Sequence, residues 1–331
     1  MVWAGSSQRL DELAEDVGAV RKNIHIEGLP KFLAPVKYVI YFMMTQVFLF
    51  SRRPDVVYCQ NPPVFAPLSC IPYCALMRRR LVIDHHNVWS VKSFGTSAVS
   101  GALKALERLA ARSAFLNTVP HDYWGSVIKT EFSGRALTVH DCVGRNPNAR
   151  SDALRGRVAA SGLIGMAASL SFQESLEAEA LGVERVEGVT LAMTGPPKRL
   201  GPRLTRMGDL RRVKFLGFLP RDEYEQLKAS SDFGLNITDE PYTVNHMLYE
   251  YAAASLPTIS SRNDEIEAVF GDSLLYVARP DAKEVAEKVA MFAEDPAVLA
   301  DYRGRIARRF EELTTNGKRE RALLKRVLTA P

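Results

Sequence analysis

Several groups of polar residues in this chain directly follow short apolar runs, and their side chains suit anion binding or proton transfer. The longest is Asn236–Ser260, N-I-T-D-E-P-Y-T-V-N-H-M-L-Y-E-Y-A-A-A-S-L-P-T-I-S. A polar loop, Thr238–Asn245, follows the apolar strand Phe233–Leu235. A helix is expected from about His246 to Ala254, carrying one acid, Glu250, and Pro257 ends it before the strand Thr258–Ser260. A helix start offered by a loop at a strand's C-terminal end gathers backbone N–H donors and favours an anion. Glu250, one or two turns in, can then accept hydrogen bonds from ribose hydroxyls while phosphates lie at Thr238, Asn245 and His246, with Tyr249 on the same helix. The alternative is an ordinary surface glutamate.

Leu81–Trp89, L-V-I-D-H-H-N-V-W, delivers Asp84, His85, His86 and Asn87 to the end of a buried strand. His86 can meet a sugar hydroxyl or a phosphate and Asp84 can orient it, or Asp84 and Asn87 cap a turn. Adjacent side chains splay apart on a strand and no second cluster completes a shell, so a metal centre is not expected. Cys59–Pro63, C-Q-N-P-P, puts the amides of Gln60 and Asn61 after Val56–Tyr58, as a stiff turn or as substrate contacts. Thr194–Arg199, T-G-P-P-K-R, has Gly195 where a ligand could approach the backbone. Lys198 and Arg199 follow, suited to a diphosphate or to a solvated turn. His140-Asp141 closes the last strand of the first half and offers a general base or a cap. Walker A, G-x-S-x-G, H-E-x-x-H, kinase and G-x-G-x-x-G patterns are all absent, which counts against those chemistries.

Strand-like runs alternate with helical patterns to position these groups. In the first half the strands are Val2–Trp3, Ile24–Ile26, Val56–Cys59, Leu81–Asp84, Phe115–Val119 and Leu137–Val139. In the second they are Leu163–Ala167, Thr190–Thr194, Val213–Leu216, Phe233–Leu235, Thr258–Ser260 and Leu274–Val277. Helices are expected at Gly101–Ala111, Phe172–Ala180, Asp222–Ala229 and Ala282–Ala293. Such alternation predicts an α/β class with two doubly wound parallel-sheet (Rossmann-like) domains. The joint is Val143–Arg157, which has no strand or helix period, and divides the chain into 1–145 and 146–331. The chain enters at Met1–Gly5 in what reads as a second strand, so the first domain is expected to be abbreviated at its N-terminus.

The 331 residues carry a net charge of +5, clustered at Arg52-Arg53, Arg78–Arg80, Arg211-Arg212 and Lys318–Arg326. No zinc-finger, RRM-type or bZIP pattern accompanies the charge, so nucleic acid is not an expected partner. The four cysteines form no C-x-x-C pair and read as reduced core residues. The start lacks a signal-peptide pattern. Val39–Phe50 is apolar nearly all round, shorter than the ~18 residues that span a bilayer, and flanked by Lys31, Lys37, Arg52 and Arg53. It is either a core helix or a helix on a membrane surface.

The segments Phe215-Leu216-Gly217, Ser230–Leu235 and His246–Ile259, with Asn263–Tyr276, resemble the donor domain of GT-B nucleotide-sugar glycosyltransferases. The first half is similar to the β-1,4-mannosyltransferase family of lipid-linked oligosaccharide assembly, on Gln60–Pro63, Leu81–Asp84 with His86-Asn87, and Leu137–Val139 with Asp141. The resemblance implies two domains facing a cleft. Residues 1–145 would bind a lipid-linked or glycan acceptor through Gln60, Asn61, His85 and Asn87. Residues 146–331 would bind a nucleotide sugar, with a C-terminal helix able to return to the first domain. It implies transfer of a hexose, mannose favoured, from GDP-mannose or a UDP-sugar, with His86 and Asp141 as catalytic residues. No cofactor or metal is expected beyond the nucleotide sugar as co-substrate. The Lys37–Arg53 region would seat the protein peripherally on the cytoplasmic face of a membrane. Departures from the family pattern are Tyr242, Met247 where Lys is usual, and Ser255 in place of Gly. These motivate the alternative of a GT-B-shaped binding or regulatory subunit without catalysis.

Overall fold

The computed structural model describes residues 1–331 except 6, 27, 29–32, 87–97, 142, 147, 160, 169–174, 197–206, 208, 330 and 331. The chain divides into two compact units. One is Met1–Asp141 with Asn316–Pro331, the other Cys142–Thr315.

The first unit opens with a single parallel bridge, Val2 to Asn23, and the Met1 carbonyl accepts from the Gln60 N–H at 3.0 Å. Between the bridged residues runs α1, Gln8–Val17. It forms because Ser7 caps its start, Gly18 ends it in the left-handed region, and Leu10, Leu13, Ala14 and Val17 make one apolar stripe. The strands expected at Val2–Trp3 and Ile24–Ile26 are therefore reduced to a single bridge, Val2 to Asn23, with α1 between its two residues.

Next come α2 (Ala34–Arg52), β1 (Val56–Asn61), α3 (Phe65–Met77), β2 (Arg80–His85), α4 (Ala98–Ser113), β3 (Leu116–Val119), α5 (Asp122–Thr130) and β4 (Ala136–Thr138). The strands pair in parallel, in the order β1-β2-β3-β4. Gln60 and Asn61 therefore belong to β1 rather than to a turn, and both are buried.

The second unit holds α6 (Asp152–Val158), β5 (Leu163–Ala168), α7 (Leu176–Glu184), β6 (Val189–Thr194), β7 (Val213–Gly217), α8 (Arg221–Ser230) and β8 (Phe233–Asn236). After these come α9 (His246–Ala253), β9 (Thr258–Ser261), α10 (Asp264–Phe270), β10 (Leu275–Val277) and α11 (Ala282–Glu294). Its sheet is parallel, with the order β10-β9-β8-β5-β6-β7. Connectivity reverses between β5 and β8, and such a switch point is where ligands bind in doubly wound sheets. Helix α6 corrects the reading of 143–157 as an aperiodic joint: Ser151 caps it and Leu154 and Val158 are buried. Two buried positions in a helix of this length leave too short a period to detect.

The last helix, α12 (Pro296–Thr329), contributes Ile306 and Phe310 to a core of the second unit, and Leu324 and Leu328 to one of the first. Leu324 packs with Leu13, Val82, Leu116 and Val139. Burial of a leucine side chain is worth roughly 1.5–3 kcal/mol, so this contact alone holds the helix end firmly.

Candidate functional site

In the second unit the switch point is built from the ends of β5 and β8 and the start of α9. Tyr251 fixes α9 on β8: its ring lies so close to Gly234 that a Cβ there would come within 2.6 Å of it. Its hydroxyl donates to the Met166 carbonyl at 3.3 Å. Asn245 stands at the N-cap, but its side chain makes no capping bond. Instead Asn245 Nδ2 donates to Asn236 Oδ1 at 3.2 Å. Asn245 therefore supplies no side-chain acceptor to the first turn of α9. Asn236 is fully buried, and its Nδ2 has no hydrogen-bond partner among the described residues. A buried amide donor left unmade costs about 1–3 kcal/mol, so an acceptor arriving there is favoured.

Glu250 lies one turn into α9, its side chain 13 % exposed. The Tyr224 hydroxyl donates to Glu250 Oε2 at 3.0 Å, and Lys228 Nζ is 3.4 Å from the same oxygen. Glu250 Oε1 looks toward His246 Nε2 at 3.8 Å, beyond hydrogen-bond range. Burial, then the Glu250 charge, push the Tyr224 hydroxyl well above its ordinary pKa, so it stays protonated as a donor. Thr238 is buried, with its N–H on the Ser261 hydroxyl at 2.8 Å and its own hydroxyl accepting from the Glu240 N–H at 3.1 Å. Tyr249 is turned inward against Phe270, with ring centroids 5.3 Å apart. Gly195 sits after β6 at φ 147°, a conformation side chains rarely adopt, and its N–H donates to the Gly217 carbonyl at 3.0 Å. Lys198 and Arg199 lie outside the described residues.

The first unit's strand ends carry a sealed network. Arg9, on α1, donates to both oxygens of Asp84 at 3.1–3.2 Å, to Asp141 Oδ1 at 2.6 Å and to the Val139 carbonyl at 2.9 Å. Thr118 donates to Asp84 Oδ1 at 2.8 Å, and the Tyr58 hydroxyl joins both at 2.7 and 3.3 Å. Burial opposes charge on Arg9, but Asp84 and Asp141 outweigh it and hold the guanidinium charged. Asp84 therefore does not orient His86. The His86 side chain is exposed, with its backbone N–H on the Asn61 carbonyl at 3.0 Å.

His85 points the other way and is fully buried. Its Nε2 is 2.9 Å from Asn117 Oδ1, and Asn61 Nδ2 is 3.2 Å from its Nδ1. The Asn117 amide nitrogen already donates to the Ala111 and Arg135 carbonyls, so Asn117 Oδ1 accepts and the His85 proton sits on Nε2. Burial lowers the His85 pKa to about 4, against the opposing pull of Asn117 and Asp84. Asn61 also donates to Glu107 at 3.3 Å, while Gln60 is buried and Asn87 lies outside the described residues. His140 pairs with Glu320 of α12 at 2.8 Å; burial would lower its pKa, but that carboxylate raises it.

Helix α2 presents a broad apolar face to solvent. Val36, Val39, Ile40, Met43 and Val47 follow helical spacing and are 38–68 % exposed, while Tyr41, Thr45 and Leu49 are buried beneath. Among the described residues no helix is long and apolar enough to cross a membrane. The described residues also show no group of three or more metal-ligating side chains.

Sequence reasoning missed Arg9, Thr118, Asn236, Tyr224 and Lys228. Only Asn236 left a signal, as a polar residue ending the apolar run Phe233–Leu235.

Residues 176–325 match the family model described as "Glycosyl transferase-like". No curated protein matches the sequence. Among solved structures the fold is similar to HepE of Anabaena in complex with UDP and glucose, with TM-score 0.73, 16% identity and coverage of 96% of this chain and 89% of that one. It is similar to the sucrose-phosphate synthase of Thermosynechococcus elongatus, with TM-score 0.81, 12% identity and coverage of 99% and 95%. It is also similar to WaaG, a glycosyltransferase involved in lipopolysaccharide biosynthesis, with TM-score 0.74, 13% identity and coverage of 99% and 97%. The chain has two parallel-sheet α/β domains of the GT-B type.

Proposed function

We propose that this chain is a glycosyltransferase that moves a hexose, mannose favoured, from a nucleotide sugar to a lipid-linked or polysaccharide-precursor acceptor at a membrane surface. The second domain takes the donor and the first takes the acceptor. The observation that carries the donor half is Glu250, one turn inside a helix whose N-cap residue Asn245 makes no side-chain capping bond, at the switch point of a doubly wound sheet. In this reading Glu250 holds the ribose hydroxyls. The start of α9, with Asn236, Thr238, Asn245, His246 and Gly195, meets the diphosphate, and Lys198 and Arg199 add charge. Charge grows on the departing diphosphate, so fixed N–H donors there lower the barrier without a metal. The complexes of HepE with UDP and with UDP-glucose support a nucleoside-diphosphate sugar as the donor class.

On the acceptor side, His86 is the accessible group, and proton transfer at the acceptor hydroxyl falls to it. Asp141 serves as base only after leaving Arg9, so its first role is to hold α1 on the strand ends. The exposed face of α2, with Lys37, Arg52 and Arg53 beside it, supports seating on an anionic cytoplasmic leaflet.

Glu250→Ala is expected to abolish transfer and weaken UDP or GDP binding in calorimetry, with thermal unfolding near wild type. Full activity in that variant overturns the donor site. A screen of nucleotide sugars against lipid-diphosphate acceptors, read by mass spectrometry, identifies both substrates. The second reading, a GT-B-shaped subunit without catalysis, is favoured by Met247, which stands in place of the usual Lys and is buried in the core. Its signature is a chain that binds no nucleotide.

A further inference from the structure

The first unit contains an apolar cavity of about 440 Å³ that the reading above does not use. Its walls are Leu10, Leu13 and Val17 of α1, Phe48 of α2, Val57 of β1 and Leu324 of α12. Three cationic side chains line it where it meets solvent: Arg21 and Arg52 are exposed and Lys22 is half-exposed. Arg21 is shared with Asp11 at 2.9 Å, and Lys22 Nζ lies 5.6 Å from the centre of the Phe48 ring. Among the described residues no acidic side chain lines the cavity.

A pocket of this size, mostly apolar with a few convergent polar groups, has the makeup of a small-ligand site. The chemistry is that of an amphiphile, with one hydrocarbon chain inside and an anionic head group on Lys22, Arg52 and Arg21. Phe48, Leu49 and Arg52 of α2 line the cavity, on the side of that helix turned away from its exposed apolar face. The other, exposed apolar face of α2 would hold the protein near a bilayer, the source of such a chain. The cavity touches the beginning of β1, Val56–Tyr58, whereas Asn61, whose carbonyl accepts from the His86 N–H, ends that strand, about 10 Å beyond Tyr58 at ~3.3 Å per residue. A head group held at the mouth is therefore not positioned at His86. We infer that this cavity binds one acyl chain of an anionic membrane lipid, at a site separate from the sugar-transfer site.

Calorimetry of the full chain with decyl phosphate, decyl maltoside and inorganic phosphate, all below micelle formation, tests this. Decyl phosphate should bind one molecule per chain, at least tenfold tighter than the neutral decyl maltoside, and inorganic phosphate should not bind measurably. Val17→Trp, which fills the cavity, should weaken decyl phosphate at least tenfold. So should the surface pair Lys22→Glu with Arg52→Glu, which leaves the core untouched and keeps the test valid if the tryptophan variant unfolds. UDP binding should be unchanged in both, so a failure here is separate from failure of the donor site. Equal affinity for the two decyl compounds, equal affinity for inorganic phosphate, or indifference to both variants overturns the proposal.

Discussion

The two units treat their strand-end carboxylates in opposite ways. In the first, Asp84 and Asp141 share Arg9, and all three side chains are 5 % exposed or less. Thr118, Tyr58 and the Val139 carbonyl complete the set. Charges buried so completely are affordable only when each has its partner, and the network then works as a clamp that holds α1 on β2 and the residues after β4. In the second unit Glu250 is tied on one oxygen, by Tyr224 and Lys228, and stays 13 % exposed. Asn236 nearby keeps a buried donor without a partner among the described residues. A closed network stabilises a fold, and an incomplete one leaves work for a ligand.

Four changes test this contrast. Breaking the clamp has the largest expected effect. Arg9→Met leaves two buried carboxylates without their cation, and urea unfolding should show a loss of about 3–5 kcal/mol. A loss below about 1 kcal/mol would mean the network is not a structural clamp. The next effect comes from His85, in the same unit. Its folded pKa of about 4 lies below the unfolded value of ~6.5. The unfolded state therefore takes up the proton first, so His85 favours the fold above about pH 6.5 and withdraws that support as pH falls toward 4. That amounts to about 3 kcal/mol at ~1.36 kcal/mol per pH unit. Urea midpoints of His85→Gln should fall less steeply with acid than those of the wild type.

In the second unit the readout moves from stability to activity. Glu250→Gln keeps the shape and one acceptor oxygen but loses the charge, and kcat/KM should drop roughly tenfold to a hundredfold, as expected for weakening a charged hydrogen bond worth 1.5–3 kcal/mol. Unchanged kcat/KM together with a large loss of stability would make Glu250 a second clamp and erase the contrast. The smallest effect belongs to His140, whose pKa is raised because the Glu320 carboxylate overcomes burial. Its contribution is present in full below about pH 6.5 and is lost as pH rises through the raised value, the reverse of His85. This half-buried pair should contribute at most about 1 kcal/mol, seen as a pH dependence that Glu320→Gln removes.

The strand and helix pattern was readable along most of the chain, because one-sided burial imposes its period on each element locally. Strands β1–β10 fall within a residue or two of the apolar runs that announced them. The loop and helix around Glu250 were legible for the same reason: Thr238, Asn245, His246 and Glu250 lie close together in the chain. Helix α6 escaped because its signal is a serine cap and two leucine-like positions inside a polar stretch.

The first unit's network could not be read from the sequence. Arg9 meets Asp84 across 75 positions and Asp141 across 132, and neither residue type nor local spacing marks the meeting. The same holds for His85 and His86, which are neighbours of one type until the pleat of β2 sends the first into the core and leaves the second exposed. The sequence by itself determined the two parallel α/β domains and the strand ends where polar groups gather, because periodicity and strand-to-helix order are local properties. Tertiary structure decided which of those groups are spent on one another and which remain open, because burial and pairing depend on segments brought together only by folding.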